Sequence, residues 1–562
     1  MPSSDSGEVG EASSVWQRWN RRSSSGASFE HPFAFWLGIT ITTVGVILQL
    51  PMYFMAGMEH YHLAGMPVTT EMAIGMVMLF IGVGLTAWGL YPKQVPGTAK
   101  MSKVRVGALD DAPIRPAHIA LLLVLAAAIT IDVMKPVSFA FLAPGAAMEY
   151  GLKSPLNPGS DALPIGLYPL SGITGTMIGS FIWGYLGDRI GRRASILLAG
   201  VIFIATSTCG TMPEYWMNLI TCFAMGLGVG GMLPITFALM SEAVPKRHRG
   251  WMMVLIGADI AGAYIIVSWL SATLASPDQF GWRMLWLIGL PTGLILLVLN
   301  RWIPESPRFL LQQGREEEAR AVMRRYGAVI IEDTESELVV EKNLHGNFRQ
   351  LFTGPFIGLS AALVLLALSI GMTQYGFQQW MPSNLQKLGF SEVASSELLR
   401  NAALIGFPLS VPIALLYGFW SSKKTVIMVT ALMGAALAAF ATLGDNVVNN
   451  RTLLYVLLVV PVWGVSILNS VLAAYSAEVY PTVVRARGSG LSAGATKLGG
   501  VLILATVVVA IAAPSVRITA ALGVIPMALA LIVLMIYGPE TRHKQLESIT
   551  AEELNVRSAA VG

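Results

Sequence analysis

Four ionisable side chains stand inside long apolar stretches of the chain: Asp132, Lys135, Asp259 and Lys497. A charge at the middle of an apolar helix costs at least about 2.5–3.5 kcal/mol on insertion scales, so it is a functional candidate by default. The four formal charges cancel. Asp132 and Lys135 are three residues apart and share a helix face, and Pro136 next to them is expected to bend that helix. Lys497 follows Arg487 by ten residues, roughly 15 Å along a helix, which places it near mid-membrane. An ammonium beside a carboxylate stabilises the ionised form. Withdrawing it, or occupying it with an anion, favours uptake of a proton. The sharper reading is that Lys135 and Lys497 attract an anionic substrate while Asp132 exchanges protons. The plainer one is a static, self-neutralising network. Asp259 lies about two turns from a helix end and suits a gate or a hydrated position.

Amides and an indole form a second group: Gln374, Gln378, Gln379, Trp380, Asn384 and Asn469. Amides donate and accept, so they suit hydroxyls or carboxylates; bonding between helices is the competing role. Cys209 and Cys222 sit in apolar runs without metal-ligand spacing, and His60 and His62 fall in a connecting loop. The residues show no nucleophile–base–acid triad, phosphate loop or dinucleotide fingerprint. No cofactor, metal or enzymatic activity is expected.

The surrounding elements follow from composition. Of 562 residues 54% are hydrophobic and only 12% charged, with mean hydropathy +0.62. Soluble domains carry about 25% charged residues. This balance excludes ordinary soluble enzymes and disorder, and its basic residues read as topology signals rather than a nucleic-acid surface. A spanning barrel keeps a polar lumen face, so helices remain. Fourteen segments are long and apolar enough to span. Basic clusters such as Arg189–Arg193, Lys246–Arg249 and Lys423–Lys424 recur in alternate loops, which predicts both termini on the cytoplasmic side of a plasma (inner) membrane. The expected organisation is a disordered tail over 1–30, an extra two-helix unit over 31–92 and a basic linker over 93–115. A six-helix bundle over 116–303, a central cytoplasmic loop with helices over 304–354, a second bundle over 355–538 and a tail over 539–562 follow. Glu316 and Arg320 predict a surface helix in the central loop.

Glu242-Ala-Val-Pro245 with Arg249 recurs about 235 residues later as Glu478-Val-Tyr-Pro481 with Arg485. Pro304-Glu305-Ser306-Pro307-Arg308 recurs as Pro539-Glu540-Thr541-Arg542, and Gly184–Arg189 falls opposite Gly418–Lys423, at nearly the same offset. Three motifs at one offset indicate two homologous six-helix halves, which puts a substrate site between them near the midplane. The glycines Gly226, Gly228, Gly230 and Gly231, and Gly490 with Gly494, are expected to be close-packing positions.

These residues resemble the major facilitator superfamily. Gly184-Tyr-Leu-Gly187-Asp188-Arg189-Ile-Gly191-Arg192-Arg193 matches its cytoplasmic signature at every fixed position, and the Pro304 and Pro539 motifs resemble its sugar-porter and metabolite:proton symporter branch over about residues 115 to 550. The resemblance implies an all-α membrane fold of two six-helix repeats, here with two extra N-terminal helices. It also implies an inner gate of salt bridges and helix-end contacts from Gly184, Asp188, Arg189, Gly191, Arg192, Arg193, Glu242, Arg249, Glu305, Arg308, Glu478, Arg485 and Glu540. Three departures stand out. Cys222 occupies the position where relatives carry an arginine ahead of a glycine run. The segment Tyr375–Pro382 lacks the double-glutamine-then-glycine pattern of hexose carriers. The extra helices precede the repeats instead of separating them.

The function expected is alternating-access transport of a small polar metabolite, preferably an organic anion, with proton symport. Efflux, a neutral polyol or sugar substrate, and a transporter-shaped nutrient sensor are the alternatives. The expected partners are the small-molecule substrate, protons and the bilayer, with no nucleic acid and a monomeric state.

Overall fold

The computed structural model describes residues 31–91, 112–275, 279–312, 315–328, 351–352, 356–480, 482–509 and 515–541. The expected N-terminal tail, nearly all of the basic linker, much of the central loop and the tail beyond 541 lie outside these residues, as do the side chains of Asp188, Arg308 and Arg485. The described residues are helical apart from turns and one isolated bridge between Lys153 and Pro164. Apolar segments of this length become helices because a helix satisfies its own backbone where water is absent.

Two spans come first: α1 (Pro32–Ile47), continued by a short helix over Leu50–Met55, and α2 (Thr70–Leu90). The first half of the core follows as α3 (Pro116–Glu149), α4 (Leu167–Ile190), α5 (Arg192–Ala205), α6 (Tyr215–Val229), α7 (Met232–Ala243), α8 (Lys246–Ala258), α9 (Ile260–Thr273) and α10 (Gly289–Leu299). A surface helix α11 (Glu316–Arg325) holds the Glu316–Arg320 pair at 2.5 Å. The second half comprises α12 (Phe356–Met372), α13 (Gln379–Lys387), α14 (Glu392–Gly406), α15 (Ser422–Leu443), α16 (Arg451–Val479), α17 (Thr482–Val509) and α18 (Val516–Tyr537). Helix α3 continues through Pro136 and Pro144.

Among the described residues twelve helices are long and apolar enough to cross a membrane, against the fourteen expected. The two core helices outside that set have physical reasons. Helix α4 is diluted by glycines and hydroxyls and carries Asp188 and Arg189. The α6–α7 run is interrupted at Gly230 and Gly231, leaving an apolar piece of 15 residues.

Glycines set the closest helix pairs. A Cβ at Gly38, Gly45, Gly75, Gly82 or Gly89 would strike the opposite helix of the α1–α2 pair. Gly175, Gly179, Gly226 and Gly230 do the same between α4 and α6. In α17 the close-packing glycines are Gly499, against Leu368, and Gly500, against Tyr375. Gly490 and Gly494 have no described atom within 4 Å of a would-be Cβ, which corrects the expectation placed on them. The halves meet through α4 with α17, α9 with α14, α8 with α16 and α3 with α13.

Candidate functional site

The two buried lysines of the sequence reading go to different places. Lys135, on α3, points into the first half. Its Nζ donates to the Phe203 carbonyl at 2.5 Å and to Thr206 Oγ1 at 2.7 Å, and stands 4.2 Å from the Phe203 ring centre. Those groups form the C-terminal end of α5, where a 3-10 turn over Thr206–Thr211 begins. A cation at a helix C-terminus meets the negative end of the dipole and unused carbonyls. Lys135 is 2% exposed, and its hydrogen bonds make it a cap on α5 within the first half.

Lys497 crosses between the halves. From α17 its Nζ donates to Ser180 Oγ on α4 and, at 3.3 Å, to the Gly230 carbonyl at the α6–α7 break. Pro234, four residues on, has no N–H to donate, so the Gly230 carbonyl at this break is left without its helical partner and open to Lys497. The residue is half-buried. Asp132 is buried, and its Oδ2 has no hydrogen-bond partner. Asp132 makes no ion pair within 4.0 Å with either lysine, so the buried carboxylate on the first half and the Lys497 ammonium reaching over from the second stand near each other's charge without direct contact.

Asp259 occupies the junction of α8 and α9 and accepts from Thr130 Oγ1 of α3. It is half-buried. In the second half the backbone from Thr373 to Gln378 is π-wound, which rotates the following side chains relative to a plain α-helix. Gln374 Oε1 there accepts from Asn469 Nδ2 of α16 at 3.3 Å. Gln378 Nε2 donates to the Val462 carbonyl at 3.2 Å. Gln379 Nε2 and Trp380 Nε1 are buried without partners, so both are donors available to a bound molecule. Asn384 is buried near them on α13.

The signature residues build two matching carboxylate caps. Gly191 has φ 97°, a left-handed value that suits glycine. It turns the chain so that α5 starts at Arg192 with its amides facing Glu305. Glu305 Oε1 accepts from Arg192 N at 2.7 Å and Oε2 from Arg193 N at 3.2 Å. Burial pushes the Glu305 carboxyl above the usual range, and the amides of Ser306, Arg192 and Arg193 offset part of that. In the second half Glu540 accepts from Ser422 N at 3.0 Å and from the hydroxyls of Ser421 and Ser422, at the start of α15. Each cap satisfies orphan helix N–H groups. Their neighbours match too: Ser306 donates to Glu242, as Thr541 donates to Glu478. Arg192 approaches Glu242 at 3.8 Å, Arg249 donates to the Val244 carbonyl at 3.2 Å, and Arg189 donates to Tyr91 at 3.3 Å. Gly184 lies within α4.

Sequence reasoning missed Ser180, Gly230, Thr130, Thr206 and the unpartnered hydroxyl of Tyr264. The Gly230-Gly231 break was a usable signal for one of these; the hydroxyl residues carried none.

A sequence model of the sugar (and other) transporter family matches residues 137–552. The niacin transporter of Acinetobacter baylyi is 29% identical over 79% of this chain and 99% of its own. The 4-hydroxybenzoate transporter of the same organism is 25% identical over 70% of this chain and 85% of its own. Among solved structures, a proton:xylose symporter bound to a bromodeoxyglucose superposes with TM-score 0.60 at 18% identity, covering 78% of this chain and 99% of that one. A partially occluded, inward-open xylose transporter from E. coli gives TM-score 0.59 at 17% identity, covering 77% and all of its own chain.

Proposed function

The chain belongs to the sugar (and other) transporter family and is a multi-pass membrane secondary transporter, and we propose that it carries a small organic anion by alternating access with proton symport. The observation that carries this reading is Lys497. It is a half-buried ammonium reaching from one half to neutral oxygens of the other, the half that also holds the buried Asp132 carboxylate with its unpartnered Oδ2. Ser180 and Gly230 offer only dipoles, so a substrate carboxylate at the same place is a stronger acceptor. Relatives that carry niacin and 4-hydroxybenzoate make a planar aromatic monocarboxylate the preferred class. The unpartnered donors of Gln379 and Trp380, and the amides of Gln374 and Asn469, would meet the ring and its substituent.

Coupling follows from competition for one cation. Ionised Asp132 pairs with Lys497 and opposes a substrate anion. Protonated Asp132 leaves Lys497 to the substrate, so anion and proton load together and leave together. Lys135 takes no part in this reading, because it is buried within the first half, where it caps the end of α5. The carboxylate caps hold the ends of α5 and α15. Within this reading the two N-terminal helices and the twelve core helices all span, with both termini on the cytoplasmic side.

The test is uptake of a labelled panel into proteoliposomes with and without an inward proton gradient: nicotinate, 4-hydroxybenzoate, nicotinamide, inositol and xylose. Gradient-driven accumulation of the carboxylates with exclusion of nicotinamide supports the proposal. Accumulation of nicotinamide or inositol equal to that of nicotinate would remove the anion from it.

A further inference from the structure

The helices that precede the repeated core touch the first half at both of its ends. The pair α1–α2 lies along α5. The helical continuation of α1 over Leu50–Met55 and the loop after it reach over the end opposite the Gly184–Arg193 turn. There Gln49 Oε1 accepts from Thr211 Oγ1 at 2.8 Å, Tyr53 Oη donates to the Phe280 carbonyl at 2.5 Å, and Gly65 N donates to the Pro213 carbonyl at 3.3 Å. Met52, Tyr53, Ala56, Leu63 and Met72 form a small core with Met212 and Leu287. At the other end Tyr91, just past α2, receives Arg189.

One contact gives this docking a consequence. Glu149 closes α3, and its carboxylate binds Arg283 Nη2 at 2.7 Å and Trp282 Nε1 at 2.7 Å. The Arg283 and Glu149 side chains are 0% and 1% exposed. A buried ion pair holds only when its remaining acceptor sites are filled. Two of the donors to Glu149 Oε1 are the amides of Leu63 and Ala64, at 2.7 and 3.0 Å. The N-terminal unit therefore completes and seals the pair that ties α3 to the segment entering α10. The second half shows no comparable brace among the described residues, and its helices contain two π-wound stretches, Thr373–Gln378 and Leu416–Trp420, a geometry frequent at functional sites.

We propose that the N-terminal two-helix unit is a built-in clamp that keeps the end of the first half around Glu149 and Arg283 closed and dry, so that this half moves as one block. The test uses the full chain in proteoliposomes. A reporter cysteine replaces Ala147, which is fully buried beside Glu149, and labelling at that residue by an impermeant maleimide is followed by mass spectrometry. The double variant Gln49→Leu/Tyr53→Phe should raise the labelling rate about tenfold or more. Phe80→Ala, on an 81% exposed hairpin residue, should leave it unchanged. A second reporter at Val447, buried in the other half, should be unaffected by either. Should the double variant fail to insert, Tyr53→Phe alone keeps the ring and should give a rise of about threefold. Equal labelling at 147 with and without the Gln49 and Tyr53 substitutions overturns the clamp, and so does an equal rise at 147 and 447.

Discussion

The two buried lysines have the same chemistry and opposite settings. Lys135 is enclosed by one half, its ammonium fixed on the end of α5 by a carbonyl, a hydroxyl and an aromatic face. Lys497 is half-buried, belongs to one half and rests on the other. A bond within a rigid body is the same in every state of a transporter, so it adds stability and biases nothing. A bond across the interface changes between states, and only such a difference can shift the equilibrium. Depth in the membrane therefore does not identify a working charge; the body that supplies its partner does.

The largest expected effect separates the two at once. Lys497→Gln should lower substrate affinity by about tenfold to more than a hundredfold, as for the loss of a charge-assisted contact worth roughly 1.5–3 kcal/mol. Its thermal stability in detergent should stay near that of the parent. Direct binding of labelled nicotinate or 4-hydroxybenzoate by the purified protein reads it. Unchanged affinity would return Lys497 to the static network considered from the sequence.

Next in size is the buried carboxylate of the first half. Asp132→Asn should abolish accumulation driven by a pH gradient and keep exchange of substrate across the membrane, because exchange needs no net proton movement. Counterflow and gradient-driven uptake in the same vesicles make the comparison. Accumulation that survives places the proton site elsewhere, with Asp259 the next candidate.

Lys135→Met tests the other side. The variant keeps the length and apolar body of the chain but leaves the Phe203 carbonyl and Thr206 hydroxyl without their donor. Stability should fall by about 1–3 kcal/mol, measured as chemical or thermal unfolding in detergent, with substrate affinity within about twofold. An affinity loss as large as that of Lys497→Gln would mean both lysines meet the anion.

Much of this was legible in the residues. The cost of an intramembrane charge singled out Asp132, Lys135, Asp259 and Lys497, and the spacing of Glu242 with Glu478 and of Glu305 with Glu540 revealed the doubled architecture that the paired caps display. The face shared by Asp132 and Lys135 was readable, but spacing along one helix says nothing about which helix lies opposite. Spacing alone therefore leaves open whether Lys135 faces a substrate or the end of α5, where its ammonium is bonded. The same gap moved the packing glycines of α17 from Gly490 and Gly494 to Gly499 and Gly500. The π-winding at Thr373–Gln378 has no signature in a run of mixed apolar and amide residues, so the orientation of Gln378 and Gln379 waited for the structure.

The smallest effect comes from the hydroxyls that hold the two ammonium groups, and its sign is the informative part. Thr206 helps fix a cap inside one body, so Thr206→Val should cost about 1 kcal/mol of stability and leave transport alone. Ser180 accepts from Lys497, and in the proposed reading an incoming substrate carboxylate displaces it. Removing a competing acceptor strengthens binding of the incoming one. Ser180→Ala should therefore tighten substrate affinity, by up to about fivefold if the hydroxyl contributes roughly 1 kcal/mol to the empty state. Isothermal titration with the preferred carboxylate, run beside Thr206→Val, measures both. A weaker rather than tighter Ser180→Ala would show that the hydroxyl stays with Lys497 in the loaded state and binds the substrate alongside it.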